Sequence, residues 1–182
     1  MELRKKKYLY SLIQIIAVIA ITFSIFKYIV VPIHIKGISM ENTLHDGSVV
    51  LMNSVGVSKE NIHRFDIIVA DSEAFGERII KRVIGLPGDT VECRNDVLYI
   101  NGEVVEQDFL DPEYVEKAKI TYNSQFFTND FVKTVGENQY FVMGDNRLKS
   151  TDSRLGFMVE FEDIVACKGV VVYPFNSIKW LQ

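Results

Sequence analysis

The chain predicts a mainly β fold, an antiparallel-sheet domain carried behind a single N-terminal transmembrane helix. Three observations predict it. One almost wholly apolar stretch, YLYSLIQIIAVIAITFSIFKYIVV, fills Tyr8–Val31. Beyond Pro32, short apolar or alternating runs bounded by turn residues dominate. In that remainder only Glu113–Lys119 is a fair helix candidate.

At 182 residues the chain suits one moderate domain plus an appendage. Residues 1–7 form a basic tail with Arg4, Lys5, Lys6 and Lys7. Residues 8–31, as a helix, span roughly 36 Å, enough for a hydrocarbon core of about 30 Å. Lys27 lies one turn from the end, where its stem can snorkel, and Pro32 is expected to stop the helix. The basic tail puts the N-terminus in the cytoplasm and residues 32–182 outside. A cleavable leader would have a shorter apolar stretch and a small-x-small cut site. VVPIHIKG offers none, so an uncleaved anchor is expected.

Strands are expected at Ser48–Asn53, Asp66–Ala70, Arg78–Ile84, Val97–Ile100, Tyr140–Met143 and Lys168–Tyr173. Asn101-Gly102, between LYI and EVV, is a two-residue hairpin signal. Residues from about 90 to 138 have weaker patterning and read as an insertion of hairpins and loops. No internal repeat or low-complexity tract interrupts the domain.

Charge separates the anchor from the domain. Five bases and one acid precede Tyr28, so residues 28–182 carry 15 bases and 23 acids, a formal charge of −8. Nucleic acid is thereby disfavoured as a partner, because phosphate contacts need clustered Lys and Arg. Cys93 and Cys167 match no zinc or CxxC spacing and are expected to be structural thiols, although sequence leaves a disulfide open. The scattered His34, His45 and His63 argue against a catalytic metal, and no cofactor is implied.

Four clusters carry candidate chemistry: GISMENTL (37–44), FDIIVA (65–70), KRVIGLPGD (81–89) and MGDNRLKSTDSR (143–154). Singly they are ordinary; a strand lysine is usually solvated, and GDN is common turn material. In RIIKRVI, however, alternation sets Lys81 on one face with Ile79 and Val83. Burial there disfavours the ammonium. A neutral amine can take a proton from a serine hydroxyl, which makes Ser39–Lys81 a candidate pair. GISME is not the G-x-S-x-G elbow of an α/β-hydrolase. Because triads are spatial, spacing leaves a Ser-His-Asp triad on Ser39 open.

These four clusters, in this order behind one anchor, resemble the bacterial type I signal peptidases, in the short, single-anchor Gram-positive form. The resemblance covers the anchor and most of 32–182 and is loose between about 95 and 135. It implies a membrane-anchored serine endopeptidase that removes signal peptides from exported pre-proteins, cutting after small-x-small motifs. Ser39 would be the nucleophile and Lys81 its base. Ser150 matches the serine that bonds this lysine, and Asp152 and Arg154 match a pair bracing the site. Met40 is expected beside the lysine, with Asp145, Asn146 and Arg147 shaping a turn. The Ser39 N–H is the expected oxyanion donor, helped by a backbone group or water at Gly37, where some relatives have a serine. Asn42 stands where the family box usually has proline, which implies altered turn geometry. The substrate is expected to bind as an added strand, with small S1 and S3 pockets close to the membrane surface.

The implied partners are signal-peptide-bearing pre-proteins and membrane lipid, with a monomer expected. Near the C-terminus, Phe175 and Trp180 either dock the chain end or dip into the interface. Two other classes compete. A catalytically inactive assembly or chaperone factor would lack the Ser39–Lys81 pair, and a Ser–Lys self-cleaving DNA-damage regulator is opposed by the anchor and the acidic domain.

Overall fold

The structure, a computed structural model, describes residues 2–72 and 76–181. Helix α1 (Glu2–Tyr28) runs through the apolar stretch. Within it Lys6–Ser24 is long and apolar enough to cross a membrane, with none of its surface covered by the rest of the chain. The helix ends before Pro32. Val30 and Val31, expected in the span, instead open strand β1 (Val30–His34). Pro32 is tolerated there because β1 is an edge strand, paired only with β2 (Val49–Asn53). The Lys27 side chain lies outside the described residues.

Beyond α1, the strands of the described residues form three antiparallel sheets. The first runs β1–β2–β12–β13, where β12 is Gly169–Tyr173 and β13 is Lys179–Leu181. The second runs β10–β9–β4–β3–β11. Its members are β3 (Ile67–Ser72), β4 (Glu77–Gly85), β9 (Gln139–Met143), β10 (Val159–Glu160) and β11 (Ile164–Cys167). All six sequence-expected strands are present within a residue or two. The short strands β1, β10, β11 and β13 were not expected, because runs of two to five residues carry little periodicity.

The loosely patterned insertion folds into the third sheet. It is ordered β7–β6–β5–β8, from β5 (Thr90–Arg94), β6 (Val97–Ile100), β7 (Glu103–Val104) and β8 (Phe131–Thr134). Asn101 and Gly102 both have positive φ, at 51° and 85°, as a two-residue primed turn requires. Asn95 and Asp96 make a second such turn between β5 and β6, with φ of 50° and 68°. Helix α2 (Pro112–Thr121) starts at Asp111, whose side chain accepts from the Glu113 N–H, with Pro112 in the first turn.

Three apolar clusters hold the sheets together. Met40, Leu44, Val50, Met52, Val69 and Val171 fill the space between the first and second sheets. Ile68, Val83, Tyr140, Val142 and Ile164 lie on the other side of the second sheet. Ile84, Val91, Leu98, Phe141 and Met143 join it to the third. Cys93 and Cys167 are both buried and unpaired. Burial pushes their thiols up to about 11 and about 12, as inert core sulfurs require.

Candidate active site

Ser39 sits in the loop leaving β1. The loop is anchored beyond Ser39 by Met40 and Leu44, each 1% exposed, and the Leu44 N–H closes a turn on the Met40 carbonyl at 2.7 Å. Before Ser39, Gly37 takes φ 84°, a conformation glycine adopts without strain. Asn146 ties the loop from the other side. Its N–H donates to the Ser39 carbonyl and its side-chain amide to the Ile38 carbonyl, both at 3.1 Å.

Lys81 rises from the middle of β4. Its Nζ donates to Ser39 Oγ at 2.9 Å and to the Ile80 carbonyl at 3.1 Å, and the residue is 6% exposed. Loss of solvent lowers the ammonium pKa from its ordinary value. The carboxylates of Asp152, Asp145 and Glu77 pull the other way without reversing the direction. The alternation of RIIKRVI thus delivers a desolvated amine beside a hydroxyl. Of the histidines, His45 bonds Glu41 on the surface and His63 lies near Asp66. His34 lines the groove above the pair but has no hydrogen bond to Ser39 among the described residues.

That groove, of about 450 Å³, lies between β1 and the first half of β4. Its lining includes Ile33, Ile35, Ser39, Val69, Ile79 and Lys81. Along Glu77–Lys81, β4 pairs with β3 on one side only, since its register with β9 begins at Arg82. β1 is likewise unpaired on its outer side. Among the described residues, two unpaired strand edges therefore border the groove that holds the hydroxyl.

Beneath the pair, Asp152 is fully buried. It accepts from the Gly144 N–H at 3.0 Å and from Arg154 at 2.7 and 2.9 Å. Ser150 lies beside Gly144, but its hydroxyl does not bond the lysine as expected. Among the described residues it is buried without a partner, because the Lys81 amine is turned toward Ser39 and the Ile80 carbonyl. Gly37 likewise departs from expectation. Its N–H is held by Asp46 Oδ1 at 2.7 Å and is not free for an oxyanion. Met40 lies in the core cluster against which Ile80, next to Lys81, also packs.

Several residues within or near the sequence clusters shape the site in ways the sequence did not indicate. Arg82 and Asp145 form a two-pronged ion pair at 2.9 and 2.7 Å, 5% and 0% exposed. Arg147, expected only to shape a turn, is 3% exposed. Its guanidinium is lowered to about 10 by desolvation, and it donates to Gly144 O, Thr128 Oγ1 and Gln107 Oε1. Gln107 and Thr128 come from the insertion, whose contribution no motif announced. Among the described residues no cluster of His, Cys, Asp or Glu could hold a metal ion.

The family model described as signal peptidase, peptidase S26, matches residues 7–173. Signal peptidase I U of Bacillus subtilis (strain 168) is 38% identical over 180 residues, covering 97% of this chain and 95% of that protein. Signal peptidase IB of Staphylococcus aureus (strain MRSA252) is 32% identical over 182 residues, with 97% and 95% covered. The crystal structure of a signal peptidase I from Enterococcus faecalis V583 superimposes with a TM-score of 0.51 at 41% identity, covering 58% of this chain and 95% of that one. Fold and relatives together define a serine-type peptidase. The chain belongs to the signal peptidase family, peptidase S26, and within it to the Gram-positive type I signal peptidases.

Proposed function

We propose that this protein is a membrane-anchored endopeptidase that removes signal peptides from exported pre-proteins with Ser39 as nucleophile and Lys81 as general base. The observation that carries the reading is the 2.9 Å approach of Ser39 Oγ to an amine whose charged form is disfavoured by burial. Neutral Lys81 accepts the Ser39 proton as Oγ attacks the scissile carbonyl. The developing oxyanion meets the Ser39 N–H, which has no partner among the described residues. Collapse breaks the peptide bond, and Lys81 returns the proton to the leaving amine. Water then loses a proton to Lys81 as it attacks the acyl-enzyme, and Lys81 passes that proton to Ser39 Oγ as the ester C–O bond breaks, restoring both groups. Asp152, locked by Arg154, supports Gly144 beneath the pair, and the Ser150 hydroxyl is spare for the third Lys81 donor.

The two free strand edges suit a substrate bound as an added strand. Ile33, Ile35, Val69 and Ile79 line the groove and suit the short side chains of a small-x-small motif. α1 crosses the bilayer with residues 1–7 in the cytoplasm and residues 32–182 outside, as a monomer. Ser39 follows the end of α1 at Tyr28 by 11 residues, which keeps the site near the surface where a membrane-threaded substrate is cut. Tyr173, Phe175, Ile178 and Trp180 are 50%, 79%, 60% and 82% exposed. They belong to or border the sheet that begins at β1, and they contact lipid.

The test is cleavage of a pre-protein whose signal ends in Ala-x-Ala, measured across pH. Ser39→Ala and Lys81→Ala abolish it, and Lys81→Arg and Lys81→His fail because neither supplies a neutral amine there. Only the neutral amine acts, so activity rises with pH through the lowered Lys81 pKa, giving an acidic limb below the value of a free lysine. The sign for stability agrees. The folded state penalises the ammonium, so stability rises with pH between the lowered folded pKa and the unfolded one. An acidic limb at the free histidine value, surviving in Lys81→Ala, would replace the pair with a triad.

A further inference from the structure

We propose that Asn42 is a positioning residue through which a strap from the insertion holds the Ser39 loop in its attacking geometry. The inference rests on Ser39 being the nucleophile. Asn42 lies three residues beyond Ser39 with φ at +88°, in the left-handed region that strains most side chains and that asparagine tolerates. Its amide nitrogen donates to the Phe109 carbonyl at 2.7 Å, joining residues 67 positions apart.

The accepting carbonyl is firmly mounted. The Phe109 ring packs 5.0 Å from the Phe65 ring. The Arg82 guanidinium lies 4.1 Å above it and that of Arg147 lies 5.9 Å away. Both arginines are themselves held, Arg82 by Asp145 and Arg147 by Gly144 O and Gln107 Oε1. The strap 107–109 is thus clamped by the two buried arginines that also brace the turn after β9.

Besides a 3.3 Å bond from Arg82 Nη2 to Thr43 Oγ1, the Ser39 loop has two ties. Asn146 holds it at Ile38 and Ser39, and the strap holds it at Asn42. Asn42 sits inside the turn closed by Leu44 N–H on the Met40 carbonyl, so release of its amide lets that turn rock and carries Ser39 Oγ off line from Lys81. The groove walls, β1 and β4, do not depend on this bond. Losing it slows the chemical step and spares substrate binding.

The test uses the full chain in detergent with a pre-protein substrate. Asn42→Gly keeps the left-handed backbone and removes the amide; Asn42→Asp keeps shape and backbone tolerance but offers the Phe109 carbonyl no donor. Both are expected to lower kcat about tenfold with KM and unfolding temperature close to the parent. Phe109→Ala loosens the carbonyl's mount, and combined with Asn42→Gly it lowers kcat no further than the worse single variant. Parental kcat in both Asn42 variants, a rise in KM alone, or additive losses in the double variant overturns the proposal. Ser39→Ala run alongside separates the two readings. Cleavage persisting there removes Ser39 as nucleophile, whereas an inactive Ser39→Ala beside an unimpaired Asn42→Gly removes only the strap.

Discussion

Replacing Gly144 with alanine should disable the site while leaving every polar group in it intact. Gly144 follows β9 directly, and a Cβ added to it would meet the Ser39 carbonyl and the Ser150 side chain. A Cβ built there overlaps Ser39 O and Ser150 Oγ and lies 2.5 Å from Ser150 Cβ, where ordinary contact begins at 3.4 Å. Rotation of the Ser150 hydroxyl relieves only one of these clashes. Ser39 O is backbone, bonded to the Asn146 N–H at 3.1 Å. Gly144 cannot retreat either, because Asp152 holds its N–H and Arg147 its carbonyl. Relief therefore requires a shift of about 1 Å between Gly144 and the backbone of the loop that carries Ser39. A misplacement of about 1 Å in a reacting group costs about 100-fold in rate, and overpacking of this kind about 1–3 kcal/mol in stability. Gly144→Ala should thus lower kcat/KM for pre-protein cleavage by about 100-fold, with a modest fall in urea midpoint. Activity within threefold of the parent would show that the Ser39 loop is compliant and overturn the prediction.

Two further outcomes follow from the same packing. Asp145→Ala leaves Arg82, 5% exposed, as an uncompensated buried cation, which should cost about 3–5 kcal/mol in urea unfolding; Asp145→Asn, which keeps one acceptor, should cost less. Trp180 is the sole tryptophan of the chain and is 82% exposed. In reconstituted vesicles, brominated acyl chains should quench its emission, and an unquenched, solvent-like spectrum would place the C-terminal aromatics in water.

The Asn42 tie bears on how the insertion is regarded. Weak patterning makes residues 90–138 read as an insertion of hairpins and loops. Yet Gln107, Phe109 and Thr128 all reach the residues around Ser39 and Lys81, directly or through Arg147. The primed turns at Asn95-Asp96 and Asn101-Gly102 give the third sheet the register that carries this strap back over the site.

How much of this was legible beforehand depended on the range of the physics involved. The apolar helix, six of the strands, the Asn101-Gly102 turn and the Ser39–Lys81 candidacy were all readable. Each follows from local periodicity, from turn chemistry, or from a lysine sharing a strand face with Ile79 and Val83. Helix length was misjudged at Val30 and Val31, since apolar β-branched residues serve a membrane span and an edge strand equally well.

Sequence by itself settled the kind of molecule: its apolar helix, its β domain and its family boxes are encoded in neighbouring residues. Tertiary structure alone decided the geometry of the site. The 2.9 Å contact joins residues 42 positions apart, and Arg82 meets Asp145 across 63. The Ser150 hydroxyl was left without its expected partner. Desolvation, the cause of the lowered Lys81 pKa, is a property of everything packed around the amine, and no stretch of chain carries it alone.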